Sequence, residues 1–272
     1  MVHPVASMSA PVAYVRARLP ELSNQIFELK SRVSILHGLF SLLSLFSTKG
    51  PQIMIKAVLF DLDGTLADSL IDLAGGVNRA IASKGFPTHE VEAFKYFVGD
   101  GIPKMIERAL PPEHRTEDDI NEIKEIFLPY YAVHYADNTY AYEGMPELVN
   151  TLKAQGFIVA VVTNKEQHMA NEVVKSLYGD VFDLIFGKRD GIPAKPDPTA
   201  ALMAMEELGV KPEECVFIGD SGMDVATAVN SGAVPVGELW GFRKKDELLE
   251  NGAKYIISKP QELLAIIEEL NK

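Results

Sequence analysis

Cysteine is almost missing: Cys215 is the only one in 272 residues, so no internal disulfide can form. A reducing, cytoplasmic setting is the simpler expectation. Cys215 lies in the apolar run ECVFIGD and reads as a buried structural thiol. Basic residues are in deficit, 26 Lys and Arg against 38 Asp and Glu for a net charge of −12. That balance excludes a surface built for nucleic acid or anionic membrane, which must neutralise phosphates. No apolar run reaches the about 20 residues a membrane span needs; ILHGLFSLLSLF, residues 35–46, is too short to span and too far in for a signal peptide. No G-x-x-x-x-G-K-[ST] loop occurs. The histidines His89, His114, His134 and His168 are scattered without ligand spacing. What these absences leave is a small-molecule partner, with the oligomeric state open.

What is present is enough for a core, since 47% of the residues are hydrophobic. The first 53 residues differ from the rest: Arg16, Arg18, Lys30, Arg32 and Lys49 stand against only Glu21 and Glu28, with many serines. Such a basic leader is expected to be weakly helical or disordered. It is either a translation start placed too far upstream or an organelle transit peptide, in which case the location is organellar. From Met54 on, strand-length apolar runs alternate with helical patterns: KAVLF (56–60), FIVAVV (157–162), FDLIF (182–186), CVFIG (215–219), AVPVG (233–237) and KYIIS (254–258). This alternation predicts an α/β fold, a doubly wound parallel sheet covered by helices. The gap of nearly a hundred residues between the first two runs is too long for a simple crossover. Residues 68–143 therefore read as an inserted all-helical cap domain, with 54–67 and 144–272 forming the core.

In a parallel sheet every strand's carboxyl end faces one edge, where ligands bind. Asp61 and Asp63 follow the first run, Thr163, Asn164 and Lys165 the second, and Asp220, Ser221 and Asp224 the fourth, while Lys195 lies in the loop GIPAKPDP. Four carboxylates, a hydroxyl and a lysine are thus expected to converge. Like charges that close cost several kcal/mol per pair unless a cation intervenes. The all-oxygen set suits Mg²⁺ better than Ca²⁺, and the metal together with Lys195 is expected to neutralise Asp61 and Asp63. Phosphoryl transfer is the chemistry such a site serves. Asp61 is the expected nucleophile and Asp63 the acid/base. The Thr163 hydroxyl and Asn164 N–H would hold the phosphoryl group, with Lys195 as clamp. Asp220 is a candidate metal ligand and Asp224 a further one or, equally, a helix-start carboxylate.

DLDGT (61–65), Thr163, the pair Lys195-Pro196 and GDSGMD (219–224), in that order, resemble the four motifs of the haloacid dehalogenase superfamily. The resemblance covers residues 54–272. It implies a Rossmann-like core and Mg²⁺-dependent hydrolysis of a small phosphorylated metabolite through an aspartyl-phosphate. It also implies that Asp61, Asp63 (through its main chain) and Asp220 bind the metal. A helical insert after the first motif is similar to the subclass holding phosphoglycolate phosphatases, pyrophosphatases and sugar-phosphate phosphatases, and VGELWGFRKKDELLENGAKYIISKPQEL resembles the first of these, with 2-phosphoglycolate as substrate.

Several other readings compete. A calcium loop starting at Asp61 would need glycine at residue 66, which is Leu66. A receiver-type phosphoacceptor would not need the insert or Asp63, and would hold its phosphoryl group without turnover. A dehalogenase needs neither metal nor Asp63, whereas a phosphomutase uses the same residues and stays open. Asp68 is expected to cap the helix that follows it. Gly99 and Gly101 precede a helix whose free N–H groups could receive a substrate carboxylate, or they form a plain turn. Trp240 is expected in the core.

Overall fold

Ala57–Phe60 (AVLF) forms β1, and all four of its residues are buried. A strand with no polar face has to be covered on both sides, as in a parallel sheet between helices. The computed structural model describes residues 54–272; the expectations for residues 1–53, including the apolar run at 35–46, lie outside the described residues.

After β1 the chain runs through β2 (Ala67–Asp68), α1 (Leu70–Ser83), α2 (Phe94–Phe97), α3 (Ile102–Ala109), α4 (Glu117–His134), β3 (Tyr140–Ala141) and α5 (Met145–Ala154). It continues through β4 (Ile158–Glu166), α6 (Gln167–Tyr178), β5 (Leu184–Lys188), α7 (Thr199–Glu207), β6 (Cys215–Gly219), α8 (Gly222–Ser231), β7 (Val234–Glu238), α9 (Lys245–Glu250), β8 (Tyr255–Ile257) and α10 (Glu262–Leu270). Six strands form one sheet in the order β5-β4-β1-β6-β7-β8. Each neighbouring pair is parallel. Each predicted strand run overlaps one of these six, with β4, β5 and β7 extending beyond the C-terminal end of their runs.

The two-residue period of a strand sorts side chains to the two faces. Val58 and Phe60, with Val159, Val161, Val216 and Ile218, pack against Leu148, Leu152, Val173 and Leu263 from α5, α6 and α10. The alternate positions Ala57, Leu59, Ala160, Val162 and Phe217 pack against Ala201, Ala204 and Ala228 from α7 and α8. Burying each full side chain is worth roughly 1.5–3 kcal/mol, so a one-residue slip of β1 would set every one of its side chains on the wrong face.

Between β1 and α5 the chain leaves the sheet. Its exit and return pair as the antiparallel ladder β2–β3, Ala67 with Ala141 and Asp68 with Tyr140. The helices between build their own hydrophobic cluster. Leu70, Leu73, Ala74, Val77 and Ile81 of α1 face Ile123, Phe127 and Tyr131 of α4, each set at helical spacing. A Cβ on Gly76 would lie 2.8 Å from the Phe127 ring, so glycine is what lets the two helices approach. The base of this insert is tied by Asp72, whose carboxylate accepts from the Asn138 backbone N–H (2.8 Å), the Asn138 amide (3.0 Å) and the Thr139 hydroxyl (2.8 Å). The acidic run at the start of α4 is a solvated face, with Glu117, Asp118 and Glu122 exposed. Among the described residues no helix is long and apolar enough to cross a membrane.

Asp68 does not cap α1: it is an exposed member of β2, and Ser69 occupies the cap position without a side-chain cap bond. Asp68 is drawn into the ladder by its pairing with Tyr140, which outweighs the local capping preference.

Candidate active site

In the sheet order β5-β4-β1-β6-β7-β8, the chain runs outward from β1 through β4 to β5 and then crosses back to β6. The crevice at the carboxyl ends of β4, β1 and β6 is therefore the topological switch point, where α/β sheets bind ligands. Asp61 follows β1 with its backbone N–H donating to the Ile218 carbonyl at 3.0 Å, which keeps it beside the end of β6. The chain then turns at Gly64, whose φ of +96° belongs to the region glycine favours. A Cβ there would lie 2.6 Å from Asp220 Oδ2. The turn and the carboxylate of the next strand are thus fitted to each other.

Asp61, Asp220 and Asp224 are all buried, and each offers a ligand oxygen within 4.8 Å of the others. The Lys195 ammonium, from the loop between β5 and α7, lies 2.7 Å from Asp61 Oδ1 and 2.5 Å from Asp224 Oδ1. Burial raises the Asp61 carboxyl to about 6, reinforced by Asp224 and opposed by Lys195. Burial likewise pushes Asp220 well up, with Asp224 and Asp61 adding to it while the Phe242 N–H, 2.8 Å from Oδ2, pulls it down. Lys195 goes the other way: burial would lower it, but Asp224 and Asp61 more than compensate and hold it charged. One ammonium against three buried carboxylates leaves an excess of negative charge. An oxygen-only set with that deficit fits a hard divalent cation.

Asp224 serves two purposes. It starts α8 through a capping box, its Oδ2 accepting from the Ser221 N–H (3.0 Å) and hydroxyl (2.6 Å), while Oδ1 faces Lys195. Thr163 and Asn164 are buried within β4, which continues past its apolar run to Glu166 with a register shift after Val162. The Asn164 carboxamide is a brace: it accepts from Lys195 N–H at 2.8 Å and donates to the Gly99 carbonyl of the insert at 2.9 Å. Arg243 holds the same insert loop, donating to the Val98 carbonyl at 3.1 Å.

Asp63 departs from the expected four-carboxylate cluster. Its side chain turns to Lys165, whose ammonium lies 2.9 Å from Oδ1 and 3.1 Å from Oδ2, and it accepts from the Ser69 hydroxyl at 2.6 Å. The Asp61 and Asp63 carboxylates are each paired with a lysine of their own, Lys195 and Lys165. Sequence reasoning gave Lys165 no role, yet a signal existed. Lys165 stands two residues beyond Thr163, as Asp63 stands two beyond Asp61, and extended chain presents alternate residues to one side. Nothing local marks Tyr131, Ser69 or the buried Glu238. The Glu238 carboxyl is raised by burial and by Asp220, and it accepts from the Trp240 N–H at 2.6 Å. Trp240, as expected, packs against the core, half-buried at its edge, and it also braces the first motif by donating its indole N–H to the Thr65 carbonyl at 3.0 Å.

A cleft opens over Asp61 and Asp63. Asp61, Asp63, Thr163, Asn164 and Lys165 form its polar floor, and Leu73, Val98, Ile102, Met105, Tyr131 and Met169 its walls. Gly101 and the start of α3 border it. A polar floor between apolar walls is the lining of a small-molecule site.

A doubly wound sheet with an acidic and lysine cluster at its switch point and a helical insert after the first strand defines a hydrolase class. A profile of the haloacid dehalogenase-like hydrolases matches residues 55–232, and the chain belongs to that family. Among curated relatives, a phosphoglycolate phosphatase of Chromobacterium violaceum is 34% identical over 219 residues, 79% of this chain and 97% of the relative. One of Pseudomonas putida is 35% identical over 198 residues, 71% of this chain and 72% of the relative. The solved structure of a predicted phosphoglycolate phosphatase from Haemophilus somnus superposes with a TM-score of 0.72 at 28% identity, covering 78% of this chain and 97% of that one.

Proposed function

We propose that the protein is a Mg²⁺-dependent phosphatase of small phosphate monoesters, with 2-phosphoglycolate as the leading substrate. The observation that carries the reading is the meeting of Asp61, Asp220, Asp224 and Lys195, from three separate segments, with Asp61 on the floor of the cleft. The names of the curated relatives support the choice of ester.

In this reading Asp61 attacks phosphorus, and the ester oxygen departs with the bond pair and a proton from Asp63, leaving an aspartyl-phosphate on Asp61. Asp63 then takes a proton from the water that attacks the same phosphorus, and Asp61 is freed. Lys195 screens the phosphoryl charge, and the Thr163 hydroxyl and Asn164 N–H hold its oxygens. Asp61, Asp220, Asp224 and the Asp63 main-chain carbonyl are the groups that would hold Mg²⁺, which when bound supplies the remaining positive charge against the carboxylates and the phosphoryl oxygens. Residues 68–143 act as the cap, with the N-terminus of α3 beside the cleft available to the carboxylate of the substrate. Measuring phosphate release from a panel of metabolite phosphates, with Mg²⁺ and with chelator, tests this. Release of phosphate only with metal, fastest from 2-phosphoglycolate, is expected. Turnover that survives complete metal removal would overturn the reading.

A further inference from the structure

Lys165 is a buried cation that the proposed reaction does not use. Its side chain is 4% exposed and that of Asp63 13%. All three of its ammonium protons have acceptors: Asp63 Oδ1 at 2.9 Å, Asp63 Oδ2 at 3.1 Å and the Tyr131 hydroxyl oxygen at 2.9 Å. Rotation about the last bond of the lysine is thereby stopped. Tyr131 is itself fixed, fully buried in α4 and stacked on Phe127 with ring centroids 5.0 Å apart. Burial works against the charge on Lys165, but Asp63 and then Tyr131 overcome it.

The two oxygens of Asp63 are treated unequally. Oδ1 accepts from both the Ser69 hydroxyl (2.6 Å) and Lys165 (2.9 Å), whereas Oδ2 has only the longer 3.1 Å contact. Oδ1 is taken up by two fixed donors, and Oδ2 keeps room for a further hydrogen-bond partner. We propose that Lys165, held by Tyr131, is the positioning residue that presents Asp63 Oδ2 to the leaving oxygen of the substrate. The proposal rests on the reading of Asp63 as acid/base. As the Asp61–phosphorus bond forms and the phosphorus–oxygen ester bond breaks, the bond pair moves to the leaving oxygen and the proton on Oδ2 follows it. A misaimed Oδ2 costs that proton transfer, worth about 10²–10⁴-fold where it is needed. It costs little where the leaving group is stable as an anion.

The test compares an alkyl ester, 2-phosphoglycolate or ethyl phosphate, with p-nitrophenyl phosphate in wild type, Asp63→Asn, Lys165→Met and Tyr131→Phe, with Tm measured for each. Asp63→Asn sets the benchmark: its loss of kcat should be far larger on the alkyl ester. Lys165→Met should lose about 10²-fold in kcat on the alkyl ester and less than about 5-fold on the aryl ester, with KM changed less than kcat. Tyr131→Phe, which keeps the ring, should shift the ratio of the two rates in the same direction by a smaller factor and covers the case in which Lys165→Met does not fold. If Asp63→Asn discriminates between the esters but both other variants lower them equally or not at all, Lys165 has no positioning role. If Asp63→Asn itself lowers both equally, the acid/base reading fails and the proposal with it.

Discussion

Lys195 and Asp61 come from loops after different strands and meet as a buried ion pair of 2.7 Å. The lysine is shared with Asp224 at 2.5 Å, so one ammonium holds together the nucleophile candidate and the carboxylate that starts α8. The expected chemistry and the expected sensitivity of the fold both follow from that sharing.

Removing the ammonium leaves Asp61 and Asp224 buried without their partner. Breaking a buried pair from one side costs about 3–5 kcal/mol. Lys195→Met is expected to lower Tm by about 6–20 °C at the roughly 2–4 °C per kcal/mol of a domain this size, and to abolish phosphate release. Thermal unfolding of the metal-free protein reads the first effect. A Tm unchanged within a degree would show that the pair contributes nothing to the fold.

Asp61→Asn removes the attacking oxygen while keeping the shape of the side chain. Phosphate release should fall at least about 10⁴-fold, as for other lost nucleophiles, and no phosphorylated protein should be seen by mass spectrometry after acid quenching. A phosphoryl adduct on the variant would assign the nucleophile elsewhere.

The carboxyl of Asp61 stands at about 6, above its ordinary 3.8, because of burial and then Asp224. Between those two values the folded state binds the proton better than the unfolded state does, so the contribution is present at low pH and is lost as pH rises through about 6. Asp220, raised for the same reasons, adds to the decline. Cation binding needs the carboxylates ionised and acts in the opposite sense. The rise in Tm caused by Mg²⁺ should therefore be small at pH 4.5 and grow through pH 6 to 7.5, where saturation at 100 times Kd is worth about 2.7 kcal/mol. Asp220→Asn should remove most of that rise, and a rise independent of pH would separate the metal from this cluster.

Asp72 gathers the Asn138 backbone, the Asn138 amide and the Thr139 hydroxyl at the base of the insert. Asp72→Ala leaves these donors without an acceptor, at about 1–3 kcal/mol. Tm should fall by about 2–12 °C, while KM for p-nitrophenyl phosphate, which makes few demands on the insert, changes little. A variant as stable as wild type would show that water replaces the carboxylate freely.

Much of the architecture was legible before any coordinates, because apolar periodicity and strand polarity are local properties of the chain. The six runs that begin at KAVLF and end at KYIIS each overlap a strand, and a parallel sheet sends their carboxyl ends to one edge. That rule alone brings Asp61, Lys195, Asp220 and Asp224 within reach of each other. The partner of Asp63 was not legible. It depends on Lys165 at the far end of β4 and on Tyr131, which approaches only because the helices of the insert fold back over the sheet. The same distance in sequence decides Asp68, which pairs with Tyr140 on the returning strand instead of capping the next helix. A residue's own neighbours determine whether it is buried and on which face; which opposite charge it meets is decided by the packing of segments far apart in the chain, since only tertiary contact desolvates both partners together.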